Sequence, residues 1–234
     1  MRVAAQTTFL NHHIIDRASA AKNLCEINEA AFPMKEYAMK DTKQVMSLEQ
    51  AIASRQSIRS YAPEHLDRST INTLLGAAVR APNAIQEEQW GFAVMQGKSA
   101  LKRLSDLAKE ALSAQESNAH LALTPSLHKF SDPEFNVFYN AGTLIVICAR
   151  SNAPFAPADC WLAAENLMLS ACAMGFGTCV IGSAVLGLNT PRGKSLLGIP
   201  DATIVVAPII IGFSNDNVPL TKRSEPLVLS WLEA

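Results

Sequence analysis

DCWLAAENLMLSACAMGFGTCVIG, residues 159–182, decides what kind of fold this chain adopts. Cys160 to Met174 is apolar nearly all round and free of Pro and Gly. That pattern predicts a helix buried on most sides, in a core or between subunits. Asp159 is the expected N-cap and Gly175 the expected C-cap. Thr178 to Ile181 then reads as a short strand. The glycines therefore follow a helix and precede a strand, with spacing G-x-G-x4-G. A Rossmann fingerprint runs the other way: its glycines follow a strand and open a helix whose N-terminus meets a pyrophosphate. The order found here rejects that site. Gly175 and Gly177 are turn glycines, and Gly182, with no side chain, lets a flat ring approach the backbone.

Working outward, Thr143 to Ala149 (TLIVICA) and Thr203 to Ile211 are apolar, β-branched runs that predict buried strands. Trp90 to Met95 reads as another. Ser47 caps a short helix with the stripe Leu48, Ile52 and Ala53. Asp67 caps a second, in which Ile71, Leu74, Leu75 and Ala78 fall on one face. Ala81-Pro82-Asn83 ends it. Leu101 to Ala114 predicts a helix with a charged outer face. Residues 115–140 turn polar and then aromatic, at Phe130, Phe135, Phe138 and Tyr139, which reads as a loop or lid. Leu227 to Leu232 reads as strand or extended chain. Helices and strands alternate without a clean βαβ rhythm. Residues 1–45 show no clear strand and are broken at Pro33. They read as an N-terminal extension to a domain spanning 46–234.

Composition removes several function classes. Of 234 residues, 20 are Lys or Arg and 21 Asp or Glu, for a net charge of −1. A bulk electrostatic grip on nucleic acid or an anionic membrane is not expected. The strongest apolar run, Ala202 to Phe213, is strand length and contains Pro208, so no membrane span is expected. The N-terminus has no secretory apolar core. The five cysteines are odd in number and form no CxxC pair, which fits reduced thiols in the cytoplasm. His12-His13 stands without a Cys/His quartet, so no metal is expected.

Three further constellations carry chemistry. Arg55-Gln56-Ser57-Ile58-Arg59 sets two guanidinium forks and a hydroxyl at a helix end, a local site for a phosphate dianion. Pro82, Asn83, Ala84 and Gln86 form a turn whose amides suit the edge of a heterocycle. Lys222-Arg223 is a basic pair near the C-terminus. No Ser-His-Asp order, paired-carboxylate helix or P-loop is present, and no side chain is assigned as catalytic.

Together these pieces resemble the FMN-dependent nitroreductase family over residues 46–234. Arg55-x-Ser57-Ile58-Arg59-x-Tyr61 resembles its R-x-S-[IV]-[RK]-x-[FY] opening. Ala81-Pro82-Asn83-Ala84 through Trp90 resembles its A-P-S-A-x-N-x-Q-P-W. Asp159 to Gly182 resembles its D…N-L…G-[LF]-G-T-x-x-[IL]-G, and LGIPDATIVVAPIIIG its L-G-I-P segment. The resemblance implies an α+β, nitroreductase-like fold: a central, mainly antiparallel sheet flanked by helices, in an intertwined homodimer. It implies one FMN at each subunit interface, reduced by NADH or NADPH. The flavin then passes hydride to a small-molecule acceptor such as a nitroaromatic or a quinone, in ping-pong order.

By the same resemblance, Arg55, Ser57 and Arg59, with Arg223 and Lys222, hold the phosphate. Pro82, Asn83, Ala84 and Gln86 line the flavin from the partner subunit, and Ile181, Gly182 and Ser183 sit by its ring. The chain departs from the pattern at Gln86, where the family has Asn, and at Glu88-Gln89, where it has Gln-Pro. The basic pair also lies one residue farther from Pro226 than the pattern has it. The alternatives are a dimer of the same fold with another reaction, reductive dehalogenation or enoate reduction, or a non-catalytic flavin-sequestering role.

Overall fold

Ser47 caps the first described helix with a capping box: its hydroxyl accepts from the Gln50 amide while the Gln50 side chain accepts from the Ser47 amide. The computed structural model describes residues 46–84, 88–119, 130–215 and 218–233. Gln86, His12, His13 and Cys25 lie outside the described residues. In chain order the elements begin with α1 (Leu48–Ser54), α2 (Arg68–Ala78), β1 (Trp90–Gln96) and α3 (Lys98–Ala119). Then come β2 (Thr143–Ala149), α4 (Ala156–Ala173), β3 (Gly177–Val180), a 3-10 turn at Gly182–Ala184, α5 (Val185–Leu188), α6 (Pro191–Leu197) and β4 (Ile204–Gly212).

The four strands form one antiparallel sheet in the order β1-β2-β4-β3. All seven residues of β2 are buried. Helices cover both faces there, so the strand reads as a continuous apolar run where a one-sided antiparallel strand would alternate. β4 shows the parity of a strand: Ile209 and Ile211 enter the core with α2 and α4, while Ile210 enters the other, with α3. Leu74, Leu167, Ile145 and Ile147 fill the first core. Leu101, Leu104, Leu144, Val146 and Phe138 fill the second.

Four local readings change. Asp159 is not the N-cap of α4. The helix begins four residues earlier, after Phe155, with Pro157 in its first turn, where a missing N–H does no harm. α3 runs on to Ala119, past the expected end at Ala114. Helices α5 and α6 were not anticipated, although α6 carries legible signals: Thr190 caps it, Pro191 starts it and Gly198, at φ 67°, ends it. Phe138 does not belong to a lid either; it is fully buried in the second core.

The outer face of α4 is apolar and open, with Phe155, Trp161 and Leu162 exposed. The C-terminal segment 218–233 has no regular secondary structure. Its Leu229 and Leu232 are 90% and 93% exposed.

Candidate functional site

The arginine motif and the glycine motif, more than a hundred residues apart in sequence, are joined through the backbone. α1 ends at Arg55, whose φ of −59° and ψ of 129° turn the chain out of the helix. Ser57 then bridges Thr178, and the Ile58 amide donates to the Thr178 carbonyl at 2.9 Å. Gly177 makes this approach possible: a Cβ there would lie 2.8–2.9 Å from the Ile58 side chain. The Tyr61 hydroxyl donates to the Ile58 carbonyl at 2.8 Å, and burial pushes its pKa above the usual phenol value.

The junction forms a cleft lined by Arg55, Gln56, Thr178, Cys172, Ser214 and their neighbours. Arg55 supplies the cleft's guanidinium, with Nε 3.6 Å from Glu165 Oε1 on α4. Gln56 donates through Nε2 to the Val218 carbonyl at 2.7 Å, tying the motif to the start of the C-terminal segment. Its Oε1 is buried without a partner. Nothing in the sequence distinguished Gln56 or Glu165, because their roles depend on where distant segments pass.

Of the sequence-expected residues, Arg55 lines this cleft and the others stand outside its lining. Ser57 and Arg59 are exposed, and the Arg59 guanidinium carbon stands 5.9 Å from the centre of the Tyr139 ring. Ile181, Gly182 and Ser183 lie beyond the opposite end of β3, where the Ile181 amide donates to the Pro208 carbonyl at 2.8 Å. A Cβ added to Gly182 would meet nothing within 4 Å, so the backbone there is open to a flat group. Pro82, Asn83 and Ala84 form a turn held by α4: the Ala84 amide donates to Asp159 Oδ1 at 3.1 Å. Asp159 is 3% exposed. Its Oδ2 and the Oδ1 of Asn83 are both buried acceptors without a donor. Lys222 and Arg223 are exposed.

The two departures at 88–89 resolve differently. Glu88 is exposed and sits in the left-handed region at φ 43°. Gln89 turns towards Ser151, accepting from its hydroxyl at 2.8 Å. Burial pushes the Cys148 and Cys160 thiols up to about 12, which keeps both protonated and unreactive at neutral pH. Among the described residues no cluster of His, Cys, Asp and Glu could hold a metal ion, and no helix is long and apolar enough to cross a membrane.

An antiparallel sheet between two helical layers, with the arginine and glycine motifs meeting at its β3 edge, defines a nitroreductase-like fold. The family profile "Nitroreductase family" matches residues 52–213, and the chain belongs to that family. An Archaeoglobus fulgidus protein named "Putative NADH dehydrogenase/NAD(P)H nitroreductase" is 28% identical over 170 residues, covering 70% of this chain and 84% of its own. A Bacteroides fragilis nitroreductase solved with bound FMN superposes with a TM-score of 0.69 at 22% identity, over 80% of this chain and 99% of its own. Oxidized iodotyrosine deiodinase, solved with FMN and 3-iodo-L-tyrosine, superposes with a TM-score of 0.63 at 18% identity, over 78% and 97%.

Proposed function

We propose that the chain is an FMN-dependent oxidoreductase that transfers hydride from NADH or NADPH to a small-molecule acceptor, a nitroaromatic or a quinone, in ping-pong order. It works in the cytoplasm as a homodimer, with residues 46–234 as the FMN-binding domain. The observation that carries this reading is the cleft where the arginine motif meets the glycine motif, with Arg55 in its wall. FMN fits the residues present. A guanidinium lines the cleft for a phosphate. A buried amide oxygen of Asn83 lacks the donor that a ring N–H supplies. Open space over Gly182 admits a flat ring.

When bound, FMN supplies hydride transfer through its N5. The protein's part is binding, orientation and charge. Arg55, Ser57 and Arg59, with Arg223 and Lys222 of the C-terminal segment, hold the phosphate. Arg59 stabilises the negative charge that builds on the reduced ring. Pro82, Asn83, Ala84 and Gln86 line the ring from the partner subunit, and Asp159 holds that turn in place. Ile181, Gly182 and Ser183 flank the ring's other side. Water can serve as proton source, and no side chain is assigned as the donor. Dimerisation covers the exposed α4 face and the C-terminal arm, which otherwise leave large apolar side chains in water.

The test is the visible spectrum of the purified, desalted protein, followed by anaerobic NADH and then NADPH. Flavin bands that bleach support the reading and identify the donor. Bands that persist with both nucleotides point to the sequestering role. A protein that stays colourless after incubation with FMN overturns the reading.

A further inference from the structure

We propose that Tyr139 is the positioning residue for Arg59, and that residues 130–141 form a fixed brace which sets that guanidinium for bound FMN. This rests on the FMN reading above and goes beyond it to a residue outside all the recognised motifs. The starting point is backbone strain. Tyr139 and Asn140 are consecutive, neither is glycine, and both are left-handed, at φ 51° and 55°. Asn tolerates that region, whereas a bulky aromatic does so only where its surroundings force it.

The surroundings here do force it. Lys109, only 9% exposed, donates to the carbonyls of Asp132 and Pro133 at 3.1 and 2.8 Å. The fully buried Ser105 accepts from the Val137 amide at 3.0 Å. Asn136 accepts from the Phe138 amide at 2.9 Å and donates through Nδ2 to Asn140 Oδ1 at 3.1 Å. The Phe138 side chain is locked in the core. Phe135 packs edge-on against both Phe130 and Tyr139, with ring centres 5.5 Å apart in each pair. A segment tied at this many points is not an opening lid.

The strained residue presents its ring to Arg59, whose guanidinium carbon stands 5.9 Å from the ring centre. That is within cation–π range. Arg59 is exposed, and a free arginine samples many rotamers. The ring face narrows that choice before any ligand arrives, so less order is lost on binding. Tyr139 acts on FMN only through Arg59.

The test compares wild-type apoprotein with Tyr139→Phe and Tyr139→Asn. Phe keeps the ring. Asn removes it yet accepts the left-handed backbone, so that variant folds; its apoprotein unfolding midpoint in urea checks this, and Tyr139→Gly, which adopts a positive φ freely, replaces it if it fails. FMN affinity is read by fluorescence quenching and the flavin midpoint potential by spectroelectrochemistry. Tyr139→Asn binds FMN two- to tenfold more weakly and has a more negative potential, while Tyr139→Phe stays within twofold of wild type. In an Arg59→Ala background, Tyr139→Asn changes neither readout further. Wild-type affinity in Tyr139→Asn, or an undiminished effect without Arg59, overturns the brace alone. A wild-type protein that takes up no FMN overturns the functional reading, and the brace with it.

Discussion

Arg55 Nε lies 3.6 Å from Glu165 Oε1, so the guanidinium proposed to hold the flavin phosphate already faces a carboxylate on α4. A phosphate dianion entering the cleft competes with that carboxylate and is repelled by it. Glu165→Gln therefore binds FMN more tightly, by roughly two- to fivefold, because a partly exposed pair of this kind is worth under about 1 kcal/mol. Arg55→Ala loses charge-assisted hydrogen bonds of about 1.5–3 kcal/mol and weakens FMN by roughly ten- to a hundredfold. Titration of apoprotein with FMN measures both. Unchanged affinity in Arg55→Ala and Arg59→Ala together sinks the phosphate assignment.

The contact between Gly177 and Ile58 gives a stability test that is independent of flavin. A methyl at 177 would stand 2.8 Å from the Ile58 side chain. Gly177→Ala destabilises by about 1–3 kcal/mol through overpacking. Ile58→Ala, which removes the two γ-carbons that methyl would strike, recovers part of that loss in the double variant. Urea unfolding of the four proteins reads the coupling, and strictly additive effects would show that the two residues do not meet.

Asp159 offers a contrast between two substitutions. Its Oδ1 satisfies the Ala84 amide, and its Oδ2 lies buried with no donor. Asp159→Ala leaves the amide unpaired and costs about 1–3 kcal/mol. Asp159→Asn keeps the acceptor for the Ala84 amide, so it costs less than the alanine variant. Thermal unfolding ranks the two, and the reverse order would refute the clamp.

Alkaline pH weakens the fold through its buried thiols. Burial moves Cys148 and Cys160 from 9.0 to about 12. Between those values the unfolded chain releases protons that the folded chain retains. Stability from this source is therefore intact below pH 9 and is lost as pH rises towards 12. Cys160→Ala reduces the loss between pH 8 and pH 10 in urea unfolding. An identical loss in variant and wild type would place the alkaline sensitivity elsewhere.

The proposed dimer is tested at the C-terminal arm. Leu229 and Trp231 are large, apolar and exposed. Leu229→Asp with Trp231→Asp leaves Lys222 and Arg223 in place and shifts the protein towards monomer in sedimentation velocity. A wild-type protein that is monomeric at micromolar concentration would refute the homodimer itself.

Much of the fold was legible because its signals are local. Thr143–Ala149 is a run of apolar residues, Ser47 and Asp67 cap their helices as their side chains allow, and the helix-then-strand placement of the glycines excluded a Rossmann turn. Asp159 was misplaced as a cap because Phe155 and Pro157 begin α4 without one. The aromatic stretch before β2 looked like a lid because composition does not reveal that Lys109 and Ser105, on α3, tie it down.

The sequence by itself determined where most helices and strands lie, since periodicity and capping act along the chain, and the order of its four motifs carried the resemblance to the family. Tertiary structure alone decided which of those residues share a cleft and what each faces. Ile58 meets Thr178, Arg55 meets Glu165 and Arg59 meets Tyr139 only when segments 80 to 120 residues apart come within a few ångströms. Such meetings depend on the packing of the whole sheet and its helices, which no local stretch encodes.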